Sequence, residues 1–286
     1  MLSRAARVAV VAGMAVALSI VGTATSRAAG AGAYNDRGCV PSAAHPDPVV
    51  LLHGLGASPD GDFGYIGPQL AAAGYCAFAF NYGSTPPLSY PGGFAAMDDS
   101  ATAIRAFISE VRGFTGASKV DIVGHSEGAL HSLYVPKRFG LGDEVGRVVA
   151  LAPPTHGTDG SGFLTLARSL GLPPLVKPLT DLFGCTACDE IAISQDFIHR
   201  LNDGPIAVAG ISYTILASRA DVIVTPTETS FVRETGVSNV VIQDICPTDP
   251  VGHIGLAFDS GVLQMITNAL DPANASPVTC SFGIPI

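Results

Sequence analysis

The chain has 286 residues, which is enough for one large domain or two small ones. Hydrophobic residues make up 48% of it and charged residues only 14%, a composition typical of a well-buried globular protein and not of a disordered chain. The formal charge is −9 and there is no run of Lys and Arg, so nucleic acid is excluded as an expected partner.

The first residues have the pattern of a secretory signal peptide. Arg4 and Arg7 precede an uncharged apolar run from Val8 to Val21, and small residues follow around Ala29. This run is shorter than the roughly 18 residues that a membrane span needs. We therefore predict a signal peptide at 1–29, with an approximate cleavage site, and a secreted, extracellular mature domain at 30–286 without stable membrane insertion.

Apolar runs typical of strands alternate with helical patterns along the rest of the chain. Strands are predicted at 49–52, 76–82, 120–123, 145–151, 213–217 and 240–243. Helices are predicted at 66–74, around Ile104 to Val111 with an end at Gly113 and Gly116, at 129–135 with a kink or end at Pro136, and at 262–269. This alternation predicts an α/β fold with a mostly parallel sheet and helices on both faces.

Between Pro154 and Pro205 the periodic pattern lapses into short apolar pieces and prolines. We interpret about 155–205 as a helical cap inserted over the sheet. Its apolar residues either line an acyl pocket or meet a lipid surface, or they form a plain helical cover that completes the core. They are Phe163, Leu164, Leu166, Leu170, Leu172, Leu175, Val176, Leu179 and Leu182.

A G-x-S-x-G motif, Gly124-His125-Ser126-Glu127-Gly128, lies between the third predicted strand and a helix. This context is that of a nucleophile elbow, in which the serine sits on a tight, strained turn. A side chain two residues before or after the serine would collide with the turn, and glycine stands at both positions. The amides at the start of the helix also face the point where negative charge develops in acyl transfer. We therefore predict Ser126 as a catalytic nucleophile.

A serine nucleophile needs a base, and the base needs a carboxylate that orients it. In folds with this elbow, the acid and then the histidine follow the serine along the chain. His253 lies in a glycine-flanked loop after the last predicted strand, and Asp221 follows the strand at 213–217, so these two residues are predicted to complete a triad. Asp244 and Asp249 are alternatives for the acid because they are close to His253 in sequence.

The turn after the first predicted strand, His53-Gly54-Leu55-Gly56, is a candidate oxyanion loop. This fold uses the amide after the nucleophile and one from the loop after an early strand. We therefore expect the backbone N–H groups of Leu55 and Glu127 to form the oxyanion hole. His53 is interpreted as a residue that orders this loop. The other histidines are given structural roles: His45, His125, His131, His156 and His199, the last on a helix surface.

Six cysteines, an even number, agree with export because disulfides persist outside the cytoplasm. Sequence alone permits 15 pairings. The favoured set joins Cys39 with Cys76, Cys185 with Cys188, and Cys246 with Cys280, since the first and last pairs would fasten chain ends to core segments. A redox or zinc role for the lone C-x-x-C is a weaker alternative, as no second C-x-x-C follows.

The sequence resembles the secreted class 2 lipases of actinobacteria, which are related to the fungal lipase B type. The resemblance extends over nearly the whole mature chain. Its motifs are Asn35-Asp36, Pro48 to Gly54, Ala73 to Cys76, Asn81-Tyr82-Gly83, the elbow, Asp221 to Pro226, Cys246-Pro247 and His253. The resemblance implies an α/β-hydrolase fold and the hydrolysis of triacylglycerols or simpler esters, without a cofactor, by Ser126, Asp221 and His253. Many relatives have Thr or another polar residue in place of Leu55, and Gln in place of Glu127.

The sequence thus predicts a serine carboxylic ester hydrolase that acts on a lipid or small ester through an acyl-enzyme, with a lipid–water interface as a candidate place of action. A polyester or cutin-type hydrolase, or an acyltransferase, is an alternative because the same triad serves these reactions. A catalytically silent cell-wall or binding protein is the non-enzyme alternative. Neither a cofactor nor a metal is expected, because the sequence has no zinc-helix histidine pair and no Asp-rich calcium loop.

Overall fold

The computed structural model describes residues 32–85, 90–158, 184–191 and 195–286. Within these ranges, all strand pairs are parallel and form a seven-stranded sheet in the order β1-β3-β2-β4-β5-β6-β7. The strands are β1 Ala33–Tyr34, β2 Val49–Leu52, β3 Cys76–Ala79, β4 Val120–His125, β5 Val145–Leu151, β6 Ser212–Ala217 and β7 Val237–Val241. The predicted α/β-hydrolase type of sheet is confirmed.

The strand order places β4 between β2 and β5, where the chain reverses its direction of progress across the sheet. At the carboxyl end of β4, Gly124 pairs with Leu52 of β2, and His125 pairs with Leu151 of β5. Ligand sites of open parallel sheets form beyond the carboxyl ends of the strands at such a reversal. The loops after β2, β4 and β6 therefore meet at one edge of the sheet.

Helices cover both faces of this sheet. The helices are α1 Pro59–Phe63, α2 Ile66–Ala72, α3 Met97–Thr115, α4 Glu127–Phe139, α5 Thr186–Glu190, α6 Asp196–Asn202, α7 Ile242–Ile245 and α8 Ser260–Leu270. One apolar core contains Ile104 of α3 and Leu130 of α4. The other, on the opposite face, contains Leu70 of α2 and Ile266 of α8.

Several element boundaries differ from the sequence prediction. The strand predicted at 76–82 ends at Ala79, and three further differences have a clear local cause. Helix α4 continues through Pro136 to Phe139, because every residue from Glu127 to Pro136 is buried and this packing outweighs one lost backbone hydrogen bond. Helix α3 passes Gly113 and ends only at Gly116, whose φ of 71° suits a left-handed cap. The last strand is 237–241 and not 240–243, since the chain turns into α7 at Ile242.

Three disulfide bonds connect the six cysteines in the pairs favoured from the sequence: Cys39–Cys76, Cys185–Cys188 and Cys246–Cys280. The first attaches the segment after β1 to the start of β3. The last attaches the C-terminal segment to the end of α7. The first bond therefore fastens peripheral chain to the sheet, and the last fastens it to a helix beside the sheet.

Two of the predicted segments fall largely outside the described residues. The signal peptide at 1–29 lies there entirely, as do 159–183 of the cap with all nine of its apolar residues. The described part of the cap includes α6, whose Phe197 and Leu201 are buried in the core beside α4. These two side chains belong to the core on the α3–α4 face of the sheet. None of the helices in the described ranges is long and apolar enough for a membrane span.

Candidate active site

Ser126 occupies the sharp turn between β4 and α4. Its backbone has φ 55° and ψ −118°, a strained conformation for a residue with a side chain. A Cβ added to Gly124 would lie 2.3 Å from the carbonyl oxygen of Gly128, and one added to Gly128 would lie 1.9 Å from that of Leu52. The turn therefore tolerates no side chain at either flanking position, which is the steric condition that the sequence motif implied.

Three side chains from three different loops form a hydrogen-bonded chain at this turn. The hydroxyl of Ser126 donates to Nε2 of His253 over 2.8 Å, and Nδ1 of His253 donates to Oδ2 of Asp221 over 2.7 Å. His253 and Asp221 are buried, whereas Ser126 is half-exposed. Ser126 is thus partly open to solvent while its two partners are shielded from water.

Asp221 is held as an anion by its surroundings. Its second oxygen, Oδ1, accepts hydrogen bonds from the N–H groups of Ile223 at 2.7 Å and Val224 at 3.0 Å. Burial alone would raise the pKa of Asp221, but His253 and these two amides lower it below the usual value. A carboxylate fixed on one side by the backbone presents the other side to the imidazole in one orientation.

The alternative acids lie elsewhere. Asp249 uses Oδ1 to accept from the backbone N–H groups of Val251 and Gly283, both within 3.0 Å. Asp244 is exposed and forms a surface ion pair with Arg219 at 2.6 Å. Neither carboxylate contacts the imidazole of His253, and both have the capping and surface roles expected of loop carboxylates.

The predicted oxyanion loop lies against the nucleophile. A Cβ on Gly54 would be 3.1 Å from Cβ of Ser126, so the backbone after β2 approaches the serine closely. Among the described residues, the backbone N–H groups of Leu55 and Glu127 have no hydrogen-bond acceptor. Both groups are therefore available to a substrate oxygen beside Ser126.

His53 orders this loop, as its position in the sequence suggested. Its Nδ1 donates to the carbonyl of Gly54 at 2.9 Å, and its Nε2 accepts from the N–H of Tyr82 at 3.4 Å. The Tyr82 hydroxyl donates to the carbonyl of His53 at 2.5 Å, and the two rings stack at 4.4 Å. Burial lowers the pKa of His53, so it is a neutral structural residue.

The Glu127 side chain is fully buried, and so is that of His131 one turn later. Glu127 Oε1 lies 3.4 Å from His131 Nε2, a distance at which an ion pair would be expected. However, burial and the Glu190 carboxylate raise the pKa of Glu127 well above its usual value, and burial lowers that of His131 to about 3. Burial thus favours the uncharged form of both groups.

Asp62 is a site residue that the sequence analysis missed. It lies on α1, is buried, and accepts the N–H of Gly54 at 2.6 Å through Oδ2. Helix α1 has five residues and no periodic pattern, so it was not predicted. Its start did carry a signal, since Ser58 caps the helix, Pro59 stands at its first position and Asp60 lies in the first turn.

A parallel sheet with a serine elbow, a histidine and an aspartate after its later strands defines the α/β-hydrolase class. The sequence profile of the family Lipase (class 2) matches residues 46–253, which is well over half of the chain. The matched region includes all the described residues of the site. The protein therefore belongs to the class 2 lipase family, a family of carboxylic ester hydrolases.

Solved structures show the same fold at low sequence identity. Aspergillus fumigatus lipase B is similar with a TM-score of 0.62 and 19% identity, over 84% of this chain and 57% of that chain. The Pyrococcus furiosus esterase Pf2001 has a TM-score of 0.55 and 18% identity, over 79% of this chain and 81% of its own. Mature Bacillus licheniformis lipase BlEst2 has a TM-score of 0.50 and 19% identity, over 70% and 85%. This chain thus spans little more than half the length of the fungal lipase.

Proposed function

We propose that this protein is a secreted lipase or esterase that hydrolyses carboxylic esters of lipids through an acyl-enzyme on Ser126. The observation that carries the proposal is the continuous chain of hydrogen bonds from Ser126 through His253 to Asp221 on a strained elbow. Membership of the class 2 lipase family and the lipases among the structures of like fold support the ester substrate. The disulfides support secretion.

In the first half of the reaction, Oγ of Ser126 attacks the carbonyl carbon of the ester while Nε2 of His253 takes its proton. The carbonyl oxygen becomes an oxyanion, which the N–H groups of Leu55 and Glu127 stabilise. His253, now an imidazolium paired with Asp221, returns the proton to the leaving alcohol as the carbon–oxygen bond breaks. The acyl group remains on Ser126.

In the second half, a water molecule gives a proton to His253 and attacks the acyl carbon. The oxyanion forms again in the same hole, and its collapse releases the carboxylic acid and restores the Ser126 hydroxyl. An alcohol in place of this water would give an acyltransferase. The hydrolytic assignment therefore depends on whether water or an alcohol is the acceptor.

The test uses p-nitrophenyl esters from acetate to stearate with the purified mature protein and its Ser126→Ala variant. Activity on long chains that falls by several orders of magnitude in the variant supports a lipase with Ser126 as nucleophile. Activity confined to the shortest esters reduces the proposal to an esterase of small substrates. Equal rates in both proteins would overturn the mechanism.

Two further assays address the alternative substrates. Addition of a primary alcohol during turnover reveals an acyltransferase if ester formation exceeds hydrolysis. Release of soluble products from a polyester film, at rates above those on an emulsified triacylglycerol, would favour the polyester hydrolase. Rates measured below and above the solubility limit of one ester test the predicted lipid-facing cap, because only an interfacial enzyme gains activity at the limit.

A further inference from the structure

A buried carboxylate and imidazole, Asp62 and His125, lie behind the triad and connect two of its loops. Oδ2 of Asp62 accepts from the N–H of Gly54 at 2.6 Å and lies 3.0 Å from Nδ1 of His125. Nε2 of His125 lies 2.9 Å from the carbonyl oxygen of His253. Asp62 is 6% exposed and His125 3% exposed, so water does not replace these contacts.

The contacts determine where the protons are. Oδ2 of Asp62 accepts from the Gly54 amide at 2.6 Å, and although burial raises the pKa of Asp62, His125 and this amide lower it below its usual value, so Asp62 is a carboxylate and Nδ1 of His125 is the donor. A backbone carbonyl is only an acceptor, so Nε2 must also carry a hydrogen. His125 is therefore an imidazolium, and Asp62 is its counter-ion. Burial alone would lower the pKa of His125, but Asp62 and the His253 carbonyl raise it above its usual value.

We propose that protonated His125 is a positioning residue, which holds the backbone of His253 through Nε2 while its partner Asp62 holds the oxyanion loop at Gly54. One ion pair then fixes the base and the oxyanion donors relative to Ser126, the residue directly after His125. This inference rests on the proposed function of Ser126 and His253. A displacement of about 1 Å between reacting groups is enough to reduce a rate roughly a hundredfold.

Other charged and titratable groups also face this pair. Asp221 approaches from the loop after β6, and His53 approaches from the loop after β2. The His125 and His253 rings lie 5.0 Å apart. Two carboxylates thus flank His125 and His253, and they offset the second positive charge that arises when His253 takes the serine proton.

The protonation state can be measured without any activity. Protein labelled with ¹⁵N-histidine is titrated by NMR, and the His125 resonances are assigned by their absence from a His125→Gln variant. We expect both ring nitrogens of His125 to show the shifts of an imidazolium at pH 7, in the wild type and in Ser126→Ala alike. A neutral His125 at pH 7 would overturn the proposal, whatever the esterase activity is.

Two variants separate the two contacts of His125. In His125→Asn the amide is placed like Nδ1, so it reaches Asp62 but not the carbonyl of His253. In His125→Gln the amide is placed like Nε2 and reaches that carbonyl. We expect kcat to fall about ten- to a hundredfold in His125→Asn with KM within about twofold of the wild type, because the reacting groups are displaced and binding is not. His125→Gln should recover most of this loss.

If His125 had a purely structural role, the activity of each variant would instead fall in proportion to the decrease in its melting temperature. Equal kcat values in the two variants, or the larger loss in His125→Gln, therefore contradict the positioning role. If neither variant folds, the His125 resonances are assigned in the wild-type protein by sequential backbone correlations, and the NMR titration decides alone. If Ser126→Ala remains active, the proposed function fails, and the protonation state of His125 is still tested.

Discussion

The backbone N–H of Gly252 donates to the carbonyl oxygen of Ile284 over 2.8 Å, so the C-terminal residues lie along the loop that carries His253. Two more contacts extend this attachment, from the Gly255 N–H to the Ile286 carbonyl at 2.8 Å and from the Gly283 N–H to Oδ1 of Asp249 at 2.9 Å. The Cys246–Cys280 disulfide joins the same two segments. The hydrogen bonds and the disulfide thus attach the C-terminal segment to the loop that carries His253.

We expect the double variant Cys246→Ala/Cys280→Ala to lose both stability and kcat. Loss of the cross-link over 34 residues should reduce the free energy of unfolding by about 3 to 4 kcal/mol. The released segment should also loosen His253 and lower kcat severalfold at 25 °C, where the protein is still folded. Thermal unfolding and p-nitrophenyl ester hydrolysis measure the two effects.

The Cys39–Cys76 bond gives a matched control, because it closes a similar span of 37 residues at the other side of the sheet. Its removal in Cys39→Ala/Cys76→Ala should cost similar stability and leave kcat near the wild-type value. If both double variants lose kcat equally, the C-terminal segment has no special role in placing His253.

Asp221→Asn tests the choice of acid. The asparagine carbonyl can still accept hydrogen bonds from the N–H groups of Ile223 and Val224, but its NH₂ group then faces Nδ1 of His253. That arrangement favours the imidazole tautomer with hydrogen on Nε2, which cannot accept the Ser126 proton. We expect kcat to fall about 10⁴-fold with little change in KM.

Asp244→Asn is the control for this variant, since Asp244 is exposed and paired with Arg219 at the surface. It should hydrolyse esters at the wild-type rate. A larger loss in Asp244→Asn than in Asp221→Asn would show that the acid has been assigned to the wrong residue.

The elbow was readable from sequence because its constraint is local and steric. Ser126 and its two glycines are adjacent in the chain, and the strand before them and the helix after them are strongly patterned. The positions of Asp221 and His253 followed from the order of strands, since loops after parallel strands meet at one edge. The Asp62–His125 pair was not predictable in this way, because Asp62 lies on a five-residue helix that no periodic pattern marks.

Errors in the elements arose where tertiary packing overrides local preference. Pro136 usually ends a helix, yet α4 is packed on the sheet along its length and continues past it. The last strand was placed too late because its first residues, including Ser238 and Asn239, are exposed and polar at the sheet edge. An edge strand is held by backbone hydrogen bonds to its one neighbouring strand. A search for apolar periodicity does not detect such bonds.

Two glycine substitutions test the steric account of the elbow. In Gly128→Ala the new methyl group would lie 1.9 Å from the backbone oxygen of Leu52, which cannot move away without displacing β2. We expect a loss of more than about 4 kcal/mol of folding free energy, or no folded protein. Gly113→Ala on the exposed side of α3 meets nothing within 4 Å and should stabilise the protein by about 0.5 to 1 kcal/mol.

Chemical denaturation measures both changes. The comparison is informative because both replacements add a single methyl group to a helix, one at a crowded position and one at an open position. A folded and active Gly128→Ala protein would mean that the elbow relaxes more easily than its geometry indicates.

Asp121 should make the protein less stable as the pH rises. It is 2% exposed on β4, where burial and the Asp47 carboxylate raise its pKa from 3.8 to about 8 although Arg147 lies 3.8 Å away. Between these two values the folded protein holds a proton that the unfolded chain has released, so the free energy of unfolding decreases with increasing pH. The effect is absent below the lower value and complete above the higher one.

Asp121→Asn removes this titration without changing the shape of the side chain. We expect the variant to gain about 1 to 3 kcal/mol at pH 8.5, because it no longer buries a charge, and to gain little at pH 4. Asp143→Asn, which removes an exposed carboxylate, controls for the change in net charge and should show no such pH dependence. A gain of equal size at both pH values would mean that Asp121 is already ionised in the acidic protein, with Arg147 as an effective counter-ion.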